Sequence, residues 1–301
     1  MSDSSGRRSR LINVGEAADR IRDGMTIAIG GFINAGHPMP IVRELIRRGV
    51  RDLTVVGPAS GGLDLDLLVA AGCVRQLVSC YFGAETLAPI APMIRRASER
   101  AEVDIFECDE GMYYAALRAG AQRLPFLPTR AGVGTSYPEV NRQLKVFSDP
   151  VRGEPLLAVP AIRPEIALLY VAASDVFGNA QHAGTGYGDR ALYRAADCTI
   201  VFAERIVSNE EIRRDPAKTS IPGADAVVRA PYGAHPFASA GCYRIDEDHL
   251  REYLSACDAL ARDGERAPLE AYLQRYVHEP RDHVEYLEAV GLRRLLALAE
   301  H

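Results

Sequence analysis

Short apolar runs alternate with amphipathic segments along the first half of the chain. Val14, Ala17, Ala18 and Ile21 recur at helical spacing, and an apolar run at residues 25–29 follows them. The same alternation predicts helices at 40–48, 63–70 and 90–100, and strands at 53–56, 76–80 and 103–107. Uniformly apolar strands separated by helices imply a parallel sheet that is covered on both faces.

The second half continues this pattern and then becomes helical. Further strands are predicted at 156–159, 166–171, 199–203 and 226–228. Apolar residues then recur at helical spacing over 250–260 and 269–276, and a last helix is predicted from Pro280 towards Leu298. We expect these helices to pack on the edge of the sheet or on a partner. The prediction is an α/β fold with an open, mainly parallel sheet, helices on both faces and a helical C-terminal segment.

No feature of the sequence divides the chain into separate domains. Its 301 residues are 48% hydrophobic, which is enough for a large core without disulfide bonds. Gly/Ser-rich linkers, internal repeats and low-complexity blocks are absent from the sequence. We therefore predict a single domain over residues 1–301, in which residues 1–10 are disordered and residues 248–301 form a helical extension.

Composition excludes several classes of partner. The chain has 35 Lys and Arg residues against 40 Asp and Glu residues, so it lacks the basic excess expected of a nucleic-acid-binding protein. It has neither an apolar run of about 20 residues nor the apolar segment of a secretory signal at its start, which predicts a cytoplasmic protein without a membrane partner. The six cysteines are scattered without metal-ligand spacing, so we predict reduced thiols and no metal.

The most specific signal lies in residues 23–38. They read Asp-Gly-Met-Thr-Ile-Ala-Ile-Gly-Gly-Phe-Ile-Asn-Ala-Gly-His-Pro, so a buried strand runs directly into Gly30 and Gly31. Ligands gather at the carboxyl ends of parallel strands, and glycines allow backbone amides to approach a ligand closely. Such a turn can direct two amide donors at a developing negative oxygen, although paired glycines after a strand also serve simply as a tight turn.

The spacing of this segment resembles the amino-terminal signature of the α subunits of family I coenzyme A (CoA) transferases. Asp-Gly, two residues, three apolar residues, Gly-Gly-Phe, three residues, Gly, one residue and Pro are all matched. Similar segments follow at residues 79–85, 107–111, 124–135, 175–179, 221–223 and 231–236. The last of these, with residues 241–243, favours the glutaconate CoA-transferase branch. That resemblance implies CoA esters of dicarboxylic or ring-derived acids as substrates.

The resemblance also implies a second polypeptide. In this family a glutamate of a β-type subunit, often in a Ser-Glu-Asn-Gly-like motif, attacks the acyl-CoA and becomes an enzyme-bound CoA thioester through a mixed anhydride. Ser-Glu-Asn-Gly does not occur in this sequence. The resemblance therefore implies an α subunit that is active only with a β-type partner, as a heterodimer or an α2β2 heterotetramer. Its substrates would be an acyl-CoA and a free carboxylic acid, with no permanently bound cofactor.

The candidate site residues follow from the same segments. Gly30 and Gly31 would provide the oxyanion donors. The candidate substrate-binding residues are Phe32, Asn34, Gly36, Ser79, Glu85, Arg130, Gly132 and Gly134. Asn34 would donate to an acyl oxygen or satisfy its own turn, and Glu85 would contact substrate or shape a turn. Arg130 would hold a substrate carboxylate or form a surface ion pair.

Glu110 supports an alternative function. Asp-Glu-Gly-Met at residues 109–112, followed by Arg-Ala-Gly at 130–132, also resembles the α subunit of the steroid ring-cleaving CoA hydrolases. In those relatives an α-subunit glutamate acts as a base, so the alternative is an acyl-CoA hydrolase or lyase in which Glu110 is the acid/base residue. Glu110 can equally be a carboxylate that complements the dipole at the start of a helix.

The other polar motifs receive structural interpretations. His37 and His235 each precede a proline, and we expect both to be neutral and hydrogen-bonded to the backbone. The glycine-rich residues 184–188 do not connect a clear strand to a helix, so we interpret them as a flexible turn. A metabolite-sensing role is disfavoured because a DNA-binding helix-turn-helix and a basic patch are not apparent in the sequence.

Overall fold

The structure is a computed structural model that describes residues 7–299. The strands are β1 Leu11–Ile12, β2 Thr26–Ile29, β3 Leu53–Val56, β4 Ser60–Gly61, β5 Val74–Val78, β6 Tyr81–Phe82, β7 Asp104–Ile105, β8 Phe126–Thr129, β9 Lys145–Ser148, β10 Pro155–Pro160, β11 Ile166–Ser174, β12 Ala180–Gln181, β13 Cys198–Ile206, β14 Thr219–Ile221 and β15 Ala226–Arg229. The α-helices are α1 Val14–Ala18, α2 Met39–Arg47, α3 Leu63–Ala70, α4 Pro92–Glu99, α5 Glu110–Ala121, α6 Tyr137–Val140, α7 Asp189–Ala195, α8 Asn209–Arg214, α9 Glu247–Asp263, α10 Ala267–Leu273, α11 His283–Val290 and α12 Leu292–Ala299. There is also a 3-10 turn at Pro216–Lys218 and a π-helical turn at Gln274–His278.

The main sheet is parallel along its length. Within the described residues its order is β1-β15-β13-β11-β2-β3-β5-β7, and every neighbouring pair in that order is parallel. The short strands β12 and β14 extend it by antiparallel pairing beside β11. The predicted α/β fold with an open, mainly parallel sheet is therefore confirmed.

Side chains of the central strands alternate between two hydrophobic clusters, one on each face of the sheet. Ile27 and Ile29 of β2 belong to the first cluster and Ala28 belongs to the second; Leu168 and Leu169 of β11 divide in the same way. The first cluster includes residues of α1 to α4 and of the C-terminal helices, and the second includes residues of α5 and α7. Because both faces are covered, the central strands have to be apolar throughout.

The order of the strands reverses at the centre of the sheet, between β2 and β11. From β2 the chain adds β3, β5 and β7 on one side, and from β11 it adds β13 and β15 on the other. Such a reversal opens a crevice beyond the carboxyl ends of the two central strands, where ligands bind in sheets of this kind. Gly30 and Gly31 follow β2 at that end.

One predicted strand belongs to a different sheet. Residues 156–159 lie within β10, the middle strand of a separate antiparallel sheet in the order β8-β10-β9. Leu157 and Val159 are buried towards α5, whereas Leu156, Ala158 and Pro160 are partly exposed. This alternation is the pattern of a sheet with one covered face. Its other two strands, β8 and β9, were not predicted from the sequence.

The C-terminal helices pack on other helices rather than on the edge of the sheet. α9 contacts α4, and the π-helical turn contacts α2. The predicted last helix is in fact two helices, because Gly291 has a φ of 97° and ends α11 before α12 begins. The first of these helices, α11, begins after Pro280. Its N-cap is Asp282, whose side chain accepts a hydrogen bond from the Glu285 amide (2.9 Å).

A buried carboxylate joins this C-terminal segment to the core. Asp66 of α3 accepts hydrogen bonds from the Tyr253 hydroxyl of α9 (2.7 Å) and from the Ile94 amide of α4 (2.7 Å). Burial raises the pKa of Asp66 to about 6. The three helices therefore share one polar contact inside an apolar interface.

Arg10, which lies in the range 1–10 predicted to be disordered, is held to the fold by hydrogen bonds. Residues 1–6 lie outside the described residues. The Arg10 amide donates to the Val176 carbonyl (2.7 Å), and the Arg10 guanidinium donates to the carbonyls of Gly223 (2.7 Å) and Ala224 (2.6 Å). Arg10 is thus an ordered start to β1.

Among the described helices, none combines the length and the apolar character needed to span a bilayer.

A second polar cluster holds the C-terminal helices through neutral histidines. His283 donates from Nε2 to the Pro231 carbonyl (2.7 Å) and accepts at Nδ1 from the Arg43 guanidinium (3.2 Å). Burial, reinforced by the positive charge of Arg43, lowers the pKa of His283 to about 3. The pKa values of His235 and His249 are also lowered, chiefly by burial.

These lowered pKa values predict an acid-sensitive fold. Below about pH 6.5 the unfolded chain binds a proton at residue 283 and the folded chain does not, so His283 removes about 2 kcal/mol of stability between pH 7 and pH 5. His283→Gln keeps a donor and an acceptor at this position without titrating. In urea unfolding at both pH values, the variant should lose about 2 kcal/mol less than the wild-type chain.

His278→Gln, at an exposed position, is the control and should retain the wild-type dependence of stability on pH. Equal losses for His283→Gln and the wild type would contradict the prediction.

Candidate functional site

The Gly30-Gly31 turn closes the carboxyl end of β2 at the centre of the sheet. The Gly30 amide donates to the Leu168 carbonyl (2.9 Å), and the Gly31 amide donates to Oδ1 of Asp189 (3.0 Å). Gly31 has a φ of 105°, and a Cβ there would lie 2.7 Å from the Ala35 carbonyl oxygen. Glycine is therefore required at position 31 for both its conformation and its close contact.

These hydrogen bonds correct the predicted oxyanion hole. The sequence led us to expect the amides of Gly30 and Gly31 to be available as a pair of donors. In the described chain both amides already have protein acceptors, one a carbonyl and the other a carboxylate. The turn itself lies where it was expected, but its two amides do not form a free donor pair.

Asp189, which was not selected from the sequence, anchors this turn. It is the first residue of α7 and is 2% exposed. Its Oδ2 lies 3.0 Å from Nε2 of His182, and Nδ1 of His182 lies 2.6 Å from Oγ of Ser220. Because a carboxylate can only accept, Nε2 of His182 donates to Asp189, and Nδ1 shares the second hydrogen bond with the Ser220 hydroxyl. A continuous hydrogen-bonded chain thus runs from Ser220 to Gly31.

A small cavity lies beside this hydrogen-bonded chain. Its volume is about 40 Å³, and it is lined by Gly31, Ala35, Gly36, Tyr170, Ala172, His182, Ala183, Gly184, Thr185, Tyr187, Asp189, Ser239 and Ala240. That volume has room for water but not for an acyl chain. The glycine-rich residues 184–188, interpreted from the sequence as a flexible turn, form one wall of the cavity.

Three predicted substrate-binding residues surround the glycine turn. The Phe32 ring stacks on the Tyr187 ring with centroids 4.7 Å apart and planes 8° apart. Oδ1 of Asn34 is buried and has no hydrogen-bond partner among the described residues. The Gly36 amide donates to the Ala238 carbonyl (2.9 Å). Asn34 is thus the member of this group with unsatisfied hydrogen-bonding capacity next to the turn.

A second polar wall is formed by Tyr170 and Glu204, which were also not selected from the sequence. The Tyr170 ring lines the cavity, and its hydroxyl donates to Oε2 of Glu204 on the neighbouring strand β13. The Tyr232 amide donates to Oε1 of the same carboxylate (3.0 Å). Burial raises the pKa of Glu204 despite these hydrogen bonds. The carboxylate is directed at protein donors and stabilises the wall.

Glu110 lies at the same edge of the sheet as the glycine turn. It is exposed and is the first residue of α5, whose N-cap Asp109 accepts from the Met112 amide (2.7 Å). One helical turn later, Tyr114 lies against Gly188, where a Cβ would be 3.4 Å from the Tyr114 hydroxyl. The start of α5 therefore adjoins the loop that leads into Asp189.

The remaining predicted residues divide between the interior and the surface. The Ser79 hydroxyl is buried against three carbonyl oxygens, those of Pro58 (2.6 Å), Ala59 (3.2 Å) and Tyr81 (3.1 Å). Because this hydroxyl is surrounded by protein acceptors, Ser79 supports its own turn.

The predicted residues Glu85, Arg130, Gly132 and Gly134 lie on loops. Glu85 is exposed with a φ of 52°, so its backbone forms a turn. Arg130 is 72% exposed and forms an ion pair with Glu154. A Cβ at Gly132 would lie 2.2 Å from Cε of Met112, so this loop packs closely on the start of α5, whereas a Cβ at Gly134 would meet open space.

The two histidines before prolines are both buried. His37 contacts the Ile33 carbonyl through Nε2 (3.1 Å), as expected from the sequence, and its Nδ1 lies 3.0 Å from Oδ2 of Asp64 without hydrogen-bond geometry. His235 differs from the expectation, because its partners are side chains. Its Nδ1 lies 2.7 Å from the Tyr286 hydroxyl and its Nε2 lies 3.0 Å from Oδ2 of Asp246.

His235, Asp246 and His249 form a buried group of potential metal ligands whose atoms lie within 4.8 Å of one another. The sequence spacing did not indicate this group. Arg294 donates to both carboxylate oxygens of Asp246 (2.5 and 2.6 Å) and thus already supplies a positive charge. A cation would have to displace that guanidinium, so the arrangement fits a structural ion pair better than a metal centre.

The hydrogen-bonded chain predicts a selective loss of stability at position 189. Asp189→Ala leaves the Gly31 amide and the His182 ring without their buried acceptor, so the free energy of unfolding in urea should fall by about 3 kcal/mol. Asp189→Asn retains an acceptor for Gly31 and should cost about 1 kcal/mol. The control is Asp197→Ala, which removes an exposed carboxylate paired with Arg123 and should change stability by less than about 0.5 kcal/mol. Similar losses at positions 189 and 197 would contradict the role of Asp189.

The chain is similar to several known proteins over most of its length. Residues 12–230 match the sequence model of the coenzyme A transferase family. One subunit of the glutaconate CoA-transferase of Acidaminococcus fermentans is 33% identical over 96% of this chain and 94% of its own length. The crystal structure of glutaconate coenzyme A-transferase from that organism superposes with a TM-score of 0.89 at 31% identity, covering 97% of this chain and 96% of the other.

Two further relatives widen the comparison. A protein of Archaeoglobus fulgidus is 39% identical over 93% of this chain, which spans 63% of that protein's length. The cholesterol ring-cleaving hydrolase IpdA subunit of Rhodococcus jostii is 37% identical over 82% of this chain and 86% of its own length.

Proposed function

This chain belongs to the coenzyme A transferase family, and we propose that it is the α subunit of an enzyme that moves CoA from an acyl-CoA to a free carboxylic acid. The family resemblance predicted from residues 23–38 is thereby confirmed. The observation that carries the proposal is the position of the Gly30-Gly31 turn. It lies at the carboxyl end of β2, where the strand order reverses and where sheets of this class bind ligands.

We propose that a β-type partner supplies the nucleophile. The Ser-Glu-Asn-Gly motif is absent from the sequence. The acidic residue that lines the cavity, Asp189, is already bound by the Gly31 amide and the His182 ring, and Glu204 is bound by Tyr170 and Tyr232. The 40 Å³ cavity is too small for an acyl group, so the substrate pocket would be completed by another chain. Two of the relatives described above, those of Acidaminococcus fermentans and Rhodococcus jostii, are named as subunits. An α/β heterodimer, or an α2β2 assembly of two, fits these observations.

The proposed reaction has two exchanges. The partner's glutamate carboxylate attacks the thioester carbon of the acyl-CoA, and the CoA thiolate leaves to give a mixed anhydride. The thiolate then attacks the glutamyl carbonyl, which releases the acyl group as a carboxylate and forms the glutamyl-CoA thioester. An incoming carboxylate reverses both steps and leaves as the new acyl-CoA.

In this reaction the α subunit would orient the acyl group and stabilise negative oxygen. The Gly31 amide is bound to Asp189, so Asn34 is the better candidate donor. Its side-chain amide lies next to the turn, and the buried Oδ1 has no hydrogen-bond partner, so nothing fixes which end of the amide faces this position. Amide orientations are assigned from hydrogen bonds, and a bound acyl oxygen would favour the orientation that presents the NH₂ group. The Phe32 and Tyr187 rings would cover the apolar part of the acyl group.

CoA would be a substrate and not a resident cofactor. We also propose a cytoplasmic location, in keeping with the six unpaired cysteines.

Co-expression with a β-type subunit tests the transferase directly. The purified complex is incubated with glutaconyl-CoA, and both chains are measured by intact mass. We expect a CoA-sized adduct on the β chain that disappears when acetate is added, with acetyl-CoA as the product. Each of the two chains incubated separately serves as the control and should give neither adduct nor product. An adduct on the chain described here would show that it carries the nucleophile and would overturn its assignment as the non-nucleophilic half.

A hydrolase or lyase is the second candidate function, and Glu110 is the observation that favours it. Its carboxylate is exposed at the N-terminus of α5, beside the loop that leads to Asp189. The IpdA relative is named as a ring-cleaving hydrolase subunit. In such an enzyme Glu110 would remove a proton from water or from the substrate.

Neutralising Glu110 separates the two functions. If the complex is a transferase, Glu110→Gln should change the rate of CoA transfer by less than about threefold, because the nucleophile lies on the partner. If it is a hydrolase or lyase, the complex should consume acyl-CoA without any acceptor acid. Glu110→Gln should then lower that rate by about 100-fold or more. Glu107→Gln is the matched control, because Glu107 is also exposed and lies one turn before α5. Equal losses at positions 107 and 110 would exclude a specific role for Glu110.

A further inference from the structure

An open groove rich in arginine lies between α5 and α7. Its volume is about 740 Å³, and three of its lining residues are Arg118, Arg190 and Arg194. Gln122, Leu117 and Tyr187 also line it, and no acidic residue does so among the described residues. The groove therefore combines a concentrated positive charge with a polar amide and some apolar surface.

The two helices direct these side chains into one space. Arg190 and Arg194 are four residues apart on α7 and thus lie on the same face of that helix. Arg118 lies on α5, where its Nε donates to the Tyr114 carbonyl (3.3 Å). α5 and α7 pack against each other, and a Cβ at Gly120 would be in ordinary contact with Cβ of Ala195, at 3.4 Å. The groove is thus framed by a close helix contact.

The positive charge in the groove is not neutralised by the rest of the described chain. None of these three arginines has a carboxylate within 4.0 Å among the side chains that the structure describes, whereas nearby Arg123 pairs with Asp197. The sequence as a whole carries a net charge of −5, so this charge is local. Guanidinium groups clustered in this way bind phosphate oxygens through paired, charge-assisted hydrogen bonds.

Tyr187 connects the groove to the candidate active site. Its side chain lines both the groove and the cavity beside Gly31, and its ring stacks on Phe32. A single ligand that passes Tyr187 would have its reactive end at the glycine turn and an anionic end at the arginines. An acyl-CoA has this form, with the thioester at one end and three phosphate groups at the other.

We propose that Arg118, Arg190 and Arg194 bind the phosphate groups at the nucleotide end of CoA. The proposal rests on the function proposed above and extends it, since the α subunit would then contribute to CoA recognition as well as to the acyl pocket. These arginines act in binding, away from the reacting atoms. They should therefore affect the affinity for CoA esters more than the rate of the bound complex.

Binding of adenosine 3′,5′-bisphosphate tests the groove without any need for catalysis. The full chain is titrated by calorimetry in low salt. The triple variant Arg118→Gln/Arg190→Gln/Arg194→Gln should bind about 30-fold more weakly or not at all, and each single variant should lose about threefold. Arg123→Gln, which removes one charge from the same surface, should bind like the wild type. Unchanged binding by the triple variant would overturn the proposal.

Kinetics of the complex with its partner separate this proposal from the proposed function. With an acyl-CoA donor, the triple variant should raise KM about 30-fold with little change in kcat. With an acyl-pantetheine donor, which lacks the nucleotide, the same variant should match the wild type. An equal rise in KM for both donors would overturn the phosphate site while leaving the transferase intact. If the wild-type complex transfers no CoA at all, the proposed function fails, and the calorimetric titration still decides whether the groove binds phosphate.

Discussion

The parallel pairing of β2 with β11 is the constraint on which the rest of this structure depends. Both strands lie at the centre of the sheet, and both of their faces are covered by helices, so their side chains are apolar along the whole pair. Polar groups are consequently confined to the ends of the strands. Since the strand order reverses between these two strands, the carboxyl end of the pair opens into a crevice, which is where sheets of this kind bind ligands.

A buried carboxylate makes that crevice rigid. Burying the Asp189 carboxylate to 2% exposure would cost free energy if it had no hydrogen-bond donors. The Gly31 amide and the His182 ring are those donors. One residue thereby ties the end of β2, the start of α7 and, through Ser220, the strand β14 into one network. The same network occupies the Gly31 amide, which is therefore not available as a free donor at the end of β2.

The sequence predicted those features that depend on neighbouring residues. Apolar runs with helical spacing between them located β2, β3 and α2 to within a few residues, and the spacing of residues 23–38 was specific enough to indicate the family. The strand at 156–159 was assigned to the wrong sheet, because a short apolar run looks the same in a parallel and an antiparallel sheet. Asp189, His182 and Ser220 come from three separate elements, so no local pattern could bring them together. The glycine cluster before Asp189 was the available signal.

The contact between Asp66 and Tyr253 joins two distant parts of the chain. The family match ends at residue 230, but the buried carboxylate of Asp66 lies within the matched region and receives its side-chain hydrogen bond from a helix beyond it. In a relative that lacks these C-terminal helices, the Asp66 carboxylate would keep the Ile94 amide but lose the Tyr253 hydroxyl and the cover of α9. Homologues that lack the C-terminal helices should therefore carry a different residue at position 66. Position 66 and the presence of this segment should vary together.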